Sequence, residues 1–279
     1  MQAEAPEDQA ALWNGTAGHA WVDGQDLLDR LFAPFERLLV EGATAQAARE
    51  VLDIGCGTGS TTVAIARSLG PASRCTGVDI SAPMIEAARA RAGWEGATAD
   101  FLLADAETHR FEQDRFDRIV SRFGVMFFGG PIAAFANLRR SARRGAALDL
   151  IAWRSAEDNP FMTAAERAAA PLLPCLPTRK PDAPGQFGFA DPERVRLILE
   201  QGGWSGIALR PLDIPCAMPE AELERYFTRL GPLGRVIGQV EPPVRDRLIE
   251  AVRAAFDRYL HQKEVRFTAA CWRIAGFAG

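Results

Sequence analysis

Val51-Leu52-Asp53-Ile54-Gly55-Cys56-Gly57-Thr58-Gly59 is the stretch from which the architecture of this chain can be read. Its first four residues have the pattern of a short buried strand. Alternating glycines break that pattern, and a helical one resumes over 61–69 and stops at Gly70-Pro71. A strand that leads through glycines into a helix leaves the backbone bare of Cβ atoms, so a ligand can approach it closely. A glycine-rich turn alone is a weak signal, and the residues around it carry the rest of the reading.

The same alternation continues downstream. Residues 75–80 read as a strand, Ser81 is placed to cap the next helix, Pro83 falls in its first turn, and 84–92 continue it. Strands follow at 101–104, 116–121 and 146–153, with a helix over 132–143. Strands alternating with helices of about ten residues imply right-handed crossovers and a parallel sheet covered on both faces. Upstream, 13–40 is helical, with Leu27, Leu28, Leu31, Phe32, Phe35, Leu38 and Leu39 at three- and four-residue spacing. After Trp153 come a helical stretch at 161–170, a proline-rich segment over 171–184, a helix over 191–201 and a strand over 207–214. A mostly helical excursion over 220–260 leads to a last strand at 265–274, and the two late strands close the sheet edge in antiparallel fashion. The expected fold is α/β: a Rossmann-like, doubly wound, mostly parallel seven-stranded sheet with helical insertions. Residues 1–12 read as a disordered terminus and 13–279 as a single domain. Within it, 13–45 form a helical cap, 50–153 a core, and 154–190 and 217–262 inserted lid segments.

Composition narrows the class. With 279 residues and 48% hydrophobic content, the chain can bury a substantial core. Its 32 basic and 36 acidic residues leave a net charge of −4 with no basic block, so no polyanion-binding face is advertised and nucleic acid is not expected as a partner. Cys56, Cys75, Cys175, Cys216 and Cys271 are scattered and form no C-x-x-C pair, which argues against a disulfide scaffold or a zinc site. No cluster has metal-ligand spacing, so metal-independent chemistry is expected. The first residues lack a signal-peptide profile and no apolar run approaches the roughly 20 residues of a membrane helix. A cytoplasmic protein is expected, with no membrane partner.

The charges at the glycine turn select among cofactors. Gly55, Gly57 and Gly59 give G-x-G-x-G, but position 60 is Ser60, where a dinucleotide fingerprint has glycine. Asp53 sits at the carboxyl end of the strand, where it would repel a pyrophosphate by on the order of several kcal/mol in a partly dry site. A carboxylate there suits a cation. S-adenosyl-L-methionine (SAM) carries an ammonium and a sulfonium, whereas NAD and ATP carry phosphates, so an NAD-dependent oxidoreductase is disfavoured. Asp79 ends the next strand, placed to accept ribose hydroxyls, and Asp105 ends the third, placed for an adenine amino group.

Taken together, these motifs resemble those of the class I SAM-dependent methyltransferases, in the small-molecule group that includes the quinone-biosynthesis methyltransferases. The resemblance rests on Val51 to Gly59, on Gly77-Val78-Asp79-Ile80-Ser81, on Leu103-Ala104-Asp105-Ala106, and on Phe116-Asp117-Arg118-Ile119-Val120-Ser121. It covers residues 50–153 well and the rest loosely. It implies a methyl transfer with SAM as cofactor and S-adenosyl-L-homocysteine (SAH) as product. It further implies that Gly55, Cys56, Gly57, Thr58 and Gly59 line the methionine and ribose and that Asp53 holds the ammonium, directly or through water. Asp79 would bind the ribose, Ile80 and Met84 would pack near the adenine, and Asp105 and Ala106 would flank its edge. Arg122 and Phe123 would approach the methionine moiety, and Trp13 and Trp21 would belong to a cap over the cofactor.

The acceptor side is less defined. His19, between Trp13 and Trp21, is the leading candidate for an acceptor-side base, ahead of His109, His261, Tyr226 and Tyr259. A carbon or sulfur acceptor needs no such base. Phe123, Phe127, Phe128, Trp153, Phe161, Phe187 and Phe189 are available to line an acceptor chamber under the lid, which suits an aromatic, quinone-like or isoprenoid small molecule. Arg122 and Arg154 are candidates to grip an acceptor carboxylate or phosphate. A non-catalytic SAM-binding regulatory module is the alternative reading. A monomer or homodimer is expected.

Overall fold

A computed structural model describes residues 9–174, 176, 179 and 183–279 of the chain. Three helices come first: α1 (Gln9–Asn14), α2 (Thr16–Asp23) and α3 (Gln25–Ala45). Periodicity reads 13–40 as one helical pattern, yet the chain breaks at Gly15 and Gly24, which occupy the N-cap positions of α2 and α3. The breaks escape a periodicity reading because the apolar repeat belongs almost wholly to α3, which buries Leu27, Leu28, Leu31, Phe32, Phe35 and Leu39. Residues 9–12, expected to be disordered, are helical in α1; residues 1–8 lie outside the described residues.

The alternating core follows: β1 (Glu50–Ile54), α4 (Ser60–Leu69), β2 (Arg74–Asp79), α5 (Ala82–Glu95), β3 (Ala99–Leu103), β4 (Phe116–Arg122), α6 (Pro131–Ser141) and β5 (Ala142–Trp153). After it come α7 (Ala164–Ala169), α8 (Pro192–Gln201), β6 (Trp204–Pro219), α9 (Leu223–Arg229), α10 (Gly231–Val236), α11 (Pro242–Ala255), β7 (Leu260–His261) and β8 (Glu264–Ala278). Asp191 caps α8 in the usual way, its side chain accepting from the backbone N–H groups of Glu193 and Arg194. Cys175 and part of the proline-rich segment 171–184 lie outside the described residues.

The sheet runs β3-β2-β1-β4-β5-β8-β6, with the two-residue β7 paired to β8. Strands β3 to β5 are parallel, and β8 enters antiparallel between β5 and β6. This is the mostly parallel, Rossmann-like sheet expected of the sequence. Strand β6 is longer than the expected 207–214 because β8 pairs with it almost end to end, from Trp204 opposite Ala278 to Pro219 opposite Glu264. Pro211 and Pro215 are tolerated within it because β6 is an edge strand. Chain order reverses at β1, whose neighbours β2 and β4 lie on opposite sides. A crevice outside the carboxyl ends of β1 and β4 is therefore the place where such a sheet takes a ligand.

Buried side chains of α3, the sheet and the late helices form one apolar cluster that extends from Leu27 to Phe161, Phe227 and Phe256. One ionic group crosses it. Buried Asp149 accepts from Arg118 Nη2 at 2.6 Å and from Arg273 Nη2 at 3.0 Å, while Arg118 Nη1 donates to Gln46 at 2.9 Å. This ties α3, β4, β5 and β8 together, and Gly42 leaves the space the Arg118 guanidinium fills. Among the described residues, no helix is long and apolar enough to cross a membrane.

Candidate active site

The site is built where β1 and β4 end. Gly55, Gly57 and Gly59 have φ of +64°, +54° and +82°, the left-handed region that costs a residue with a Cβ about 1–2 kcal/mol. At Gly55 the requirement is steric as well, since a Cβ would stand 2.6 Å from Gly124 Cα. The close approach is fastened by Ser121, whose hydroxyl donates to the Ile54 carbonyl at 2.7 Å and accepts from the Gly124 N–H at 3.1 Å. Between them Phe123 adopts φ +66°, a strained conformation for a bulky residue. Its N–H donates to the Ile151 carbonyl at 2.9 Å, and its ring stacks on Trp153 with centroids 4.4 Å apart, against the edges of Phe32 and Phe35. Packing thus holds a turn that presents Phe123 and Arg122 to the glycines.

Asp53 is only 1% exposed. Burial pushes its pKa up from the ordinary 3.8 to about 7, opposed in part by the hydrogen bond from Thr62 Oγ1 at 2.6 Å and by the charge of Arg122. Arg122 donates through Nη2 to Ser60 Oγ at 2.8 Å and stands 3.8 Å from Glu36. Its Nη1 is buried without a hydrogen-bond partner among the described residues, and so is Thr61 Oγ1. Buried polar atoms are seldom left unsatisfied in a folded chain. Asp53, Thr61 and Arg122 all face one pocket, together with Gly55, Cys56, Gly57, Thr58 and Phe123. On the cap side, Trp21, Gln25, Leu28, Asp29 and Phe32 close it, leaving about 40 Å³. That is room for a few waters, each needing roughly 10–15 Å³ of such space.

Of the sequence-predicted residues, Trp13, Gly59, Asp79, Ile80, Met84, Asp105 and Ala106 do not line this pocket. The reason is the cap. Asn14 Nδ2 donates to the Ile80 carbonyl at 3.0 Å, the Ala82 N–H donates to Asn14 Oδ1 at 2.8 Å, and Ser81 Oγ donates to the Trp13 carbonyl at 2.6 Å. The turn between β2 and α5 is therefore covered by the junction of α1 and α2. Ser81 was expected to cap its own helix, but its hydroxyl is drawn to Trp13, and Asn14 supplies the capping oxygen across the chain. Trp13 packs edge-on to Trp21 at 6.0 Å and to Phe127 at 5.1 Å. Below the cap, Asp79 is turned to the backbone: it accepts from Gly57 N and Ser81 N, both at 2.9 Å, while burial raises its pKa. Asp105 accepts from Glu107 N at 2.9 Å and Thr108 Oγ1 at 3.3 Å, shaping its own turn. The Ala106 carbonyl accepts from Asn137, and Met84 is buried close to Gly57.

The acceptor-side candidates are scattered. His19 is exposed on α2 with Nδ1 3.0 Å from the Gly15 carbonyl. His109 packs on Phe111, and His261 is exposed in β7. None of the three lines the pocket. Arg154 pairs with Asp158 and Asp213 and lies over Trp272. The seven aromatics belong to the one apolar core or pack against it, each with its own ring neighbours: Phe123 with Trp153, Phe127 with Trp13, Phe128 and Phe189 with Phe135, Phe161 with Tyr226, Tyr259 and Phe267, and Phe187 beneath Arg179. Sequence reasoning missed Thr61, Thr62 and the capping role of Asn14. Two hydroxyls in the first turn after the glycines were a usable signal for the first two, whereas Asn14 depends on a contact 68 residues away.

Comparison with known proteins bears on the same segment. Residues 51–145 match a family model described as a methyltransferase domain. The chain is 29% identical over 153 residues to the uncharacterized protein Rv1405c of Mycobacterium tuberculosis, and spans about half of that relative, 55% of its length. It is 25% identical over 202 residues to the ubiquinone/menaquinone biosynthesis C-methyltransferase UbiE of Burkholderia vietnamiensis, covering 68% of this chain and 83% of that one. Among solved structures, YcgJ of Bacillus subtilis superposes with a TM-score of 0.57 at 18% identity, covering 87% of this chain and 97% of that one, a likeness of fold.

Proposed function

That the chain is, by family, a class I SAM-dependent methyltransferase is the premise from which we propose that it methylates a small organic acceptor, of aromatic, quinone-like or isoprenoid character. The observation that carries the reading is the two-signed pocket at the end of β1. An amino-acid tail is a zwitterion, and the pocket offers a buried carboxylate, Asp53, beside two buried groups without a hydrogen bond among the described residues, Arg122 Nη1, which has Glu36 3.8 Å away, and Thr61 Oγ1. These residues fit the methionine moiety of SAM: Asp53 for the ammonium, Arg122 and Thr61 for the carboxylate. When bound, SAM supplies a methyl group already made electrophilic by its sulfonium.

The chain's own part is to orient and to exclude water, effects that supply roughly 7–11 kcal/mol in favourable systems. Phe123, Phe32 and the cap residues Trp21 and Leu28 make the dry wall beside the glycines. Because no histidine lines the pocket, the reading favours an acceptor that needs no imidazole base, such as an activated ring carbon. The similarity to a quinone C-methyltransferase supports that preference. The net charge of −4 supports a small molecule over nucleic acid as partner. Label transfer from methyl-labelled SAM to a panel of phenols, quinols and prenyl compounds tests the proposal. Labelled product is expected. Tight SAM binding without transfer to any compound would favour the non-catalytic module instead.

A further inference from the structure

Cap and lid enclose a second cavity, of about 280 Å³, near the lower end of small-molecule sites at roughly 300–1,000 Å³. Buried Ala20 and Leu27 form its apolar side on the cap, and Leu230 and Tyr226 face them from the lid. Gly24 and the exposed Arg225, Arg229 and Asp23 complete the lining. Arg225 is engaged, with Nη1 3.4 Å from Glu222 and Nη2 donating to the Asp23 carbonyl. The Arg229 side chain makes no hydrogen bond or ion pair among the described residues, and the Tyr226 hydroxyl has no hydrogen-bond partner among them either. Of the charged residues that line the cavity, Arg225 and Arg229 stand against the single carboxylate of Asp23. One positive charge is left uncompensated, on a planar fork suited to carboxylate or phosphate.

We infer that this cavity takes a small molecule with a compact apolar body and an anionic group held by Arg229. Taking that molecule for the methyl acceptor rests on the proposed function. Position agrees with it: Leu27 faces this cavity while its neighbour Leu28 lines the pocket beside the glycine turn, so the start of α3 separates the two spaces.

The test is calorimetric titration of the full chain with 4-hydroxybenzoate, phenyl phosphate and neutral 4-hydroxybenzyl alcohol, alongside a titration with SAM. At least one anion is expected to bind tenfold or more tightly than the neutral compound. R229A is expected to weaken the anion at least tenfold, with R229K recovering part of the loss and SAM affinity unchanged. Arg229 is exposed, and equal melting temperatures for R229A and wild type would show that the fold is intact. Anions that bind no better than the alcohol, or equally well to R229A, would overturn the inference. Failure of SAM to bind would instead sink the methyltransferase reading and leave the anion result standing.

Discussion

Asp53→Asn separates the two roles of the buried carboxylate, because it should raise the stability of the ligand-free protein while it weakens SAM. Each tenfold change in a protonation equilibrium is worth ~1.4 kcal/mol. Holding Asp53 at about 7 rather than its ordinary 3.8 therefore corresponds to a burden of ~4 kcal/mol on the native state when the group is ionised. The sign follows from the raised value. Between pH 4 and 7 the unfolded chain has released this proton and the native chain retains it, so this group's contribution to stability falls as pH rises and levels off above 7. Asparagine keeps an oxygen for the Thr62 hydroxyl and carries no charge to desolvate. Thermal melts at pH 8.5 should show the variant more stable than wild type, by up to ~4 kcal/mol, with the gap closing toward pH 4. Calorimetry should show the opposite for SAM: about 2–4 kcal/mol weaker binding in the variant at pH 8.5, from losing a buried charge-assisted pair. Wild-type affinity should strengthen as pH rises through 7 and the variant's should not. A variant that melts lower at pH 8.5, or binds SAM as wild type does, would refute the reasoning.

Other substitutions probe other parts of the site. Gly124→Ala would force a Cβ to within 2.7 Å of Gly55 Cα, and about 3 kcal/mol of destabilisation is expected in denaturant titrations. Asp79→Ala frees the N–H groups of Gly57 and Ser81, so it should weaken SAM by about 1–3 kcal/mol, and hydrogen exchange at Gly57 should accelerate. Asn14→Ala removes both cross-chain bonds at Ile80 and Ala82. The cap should open about thirtyfold more often, two bonds at roughly 1 kcal/mol net each, seen as faster SAM association in stopped flow and faster proteolysis of residues 9–24. Asp149→Ala leaves Arg118 buried without its anionic partner and should cost about 3–5 kcal/mol in a urea melt.

What could be read from sequence was local. Residues 51–59 announce themselves because a buried strand, three glycines and a helix follow one another within one short segment. The breaks at Gly15 and Gly24 were hidden because one long apolar helix, α3, dominates the repeat. Ser81 was correctly placed at the start of α5 but its hydroxyl serves Trp13, a competition between near and distant acceptors that no window of sequence reveals. Arg122 was legible as a charge at the end of β4, whereas its hydrogen bond to Ser60 and its approach to Glu36 depend on how β4 meets α4 and α3. The seven aromatics were legible as apolar, whereas their ring-to-ring contacts, such as Phe161 stacked on Phe267, join segments far apart in the chain.

A crystal structure of the full chain with SAH tests most directly whether the turn after β1 is built for a zwitterionic amino-acid tail. Electron density for the ligand is expected against Gly55 and Gly57, with its ammonium toward Asp53, its carboxylate toward Arg122 and Thr61, and α1 and α2 displaced to make room. Density elsewhere, or a turn left bare while NADH binds there instead, would contradict it.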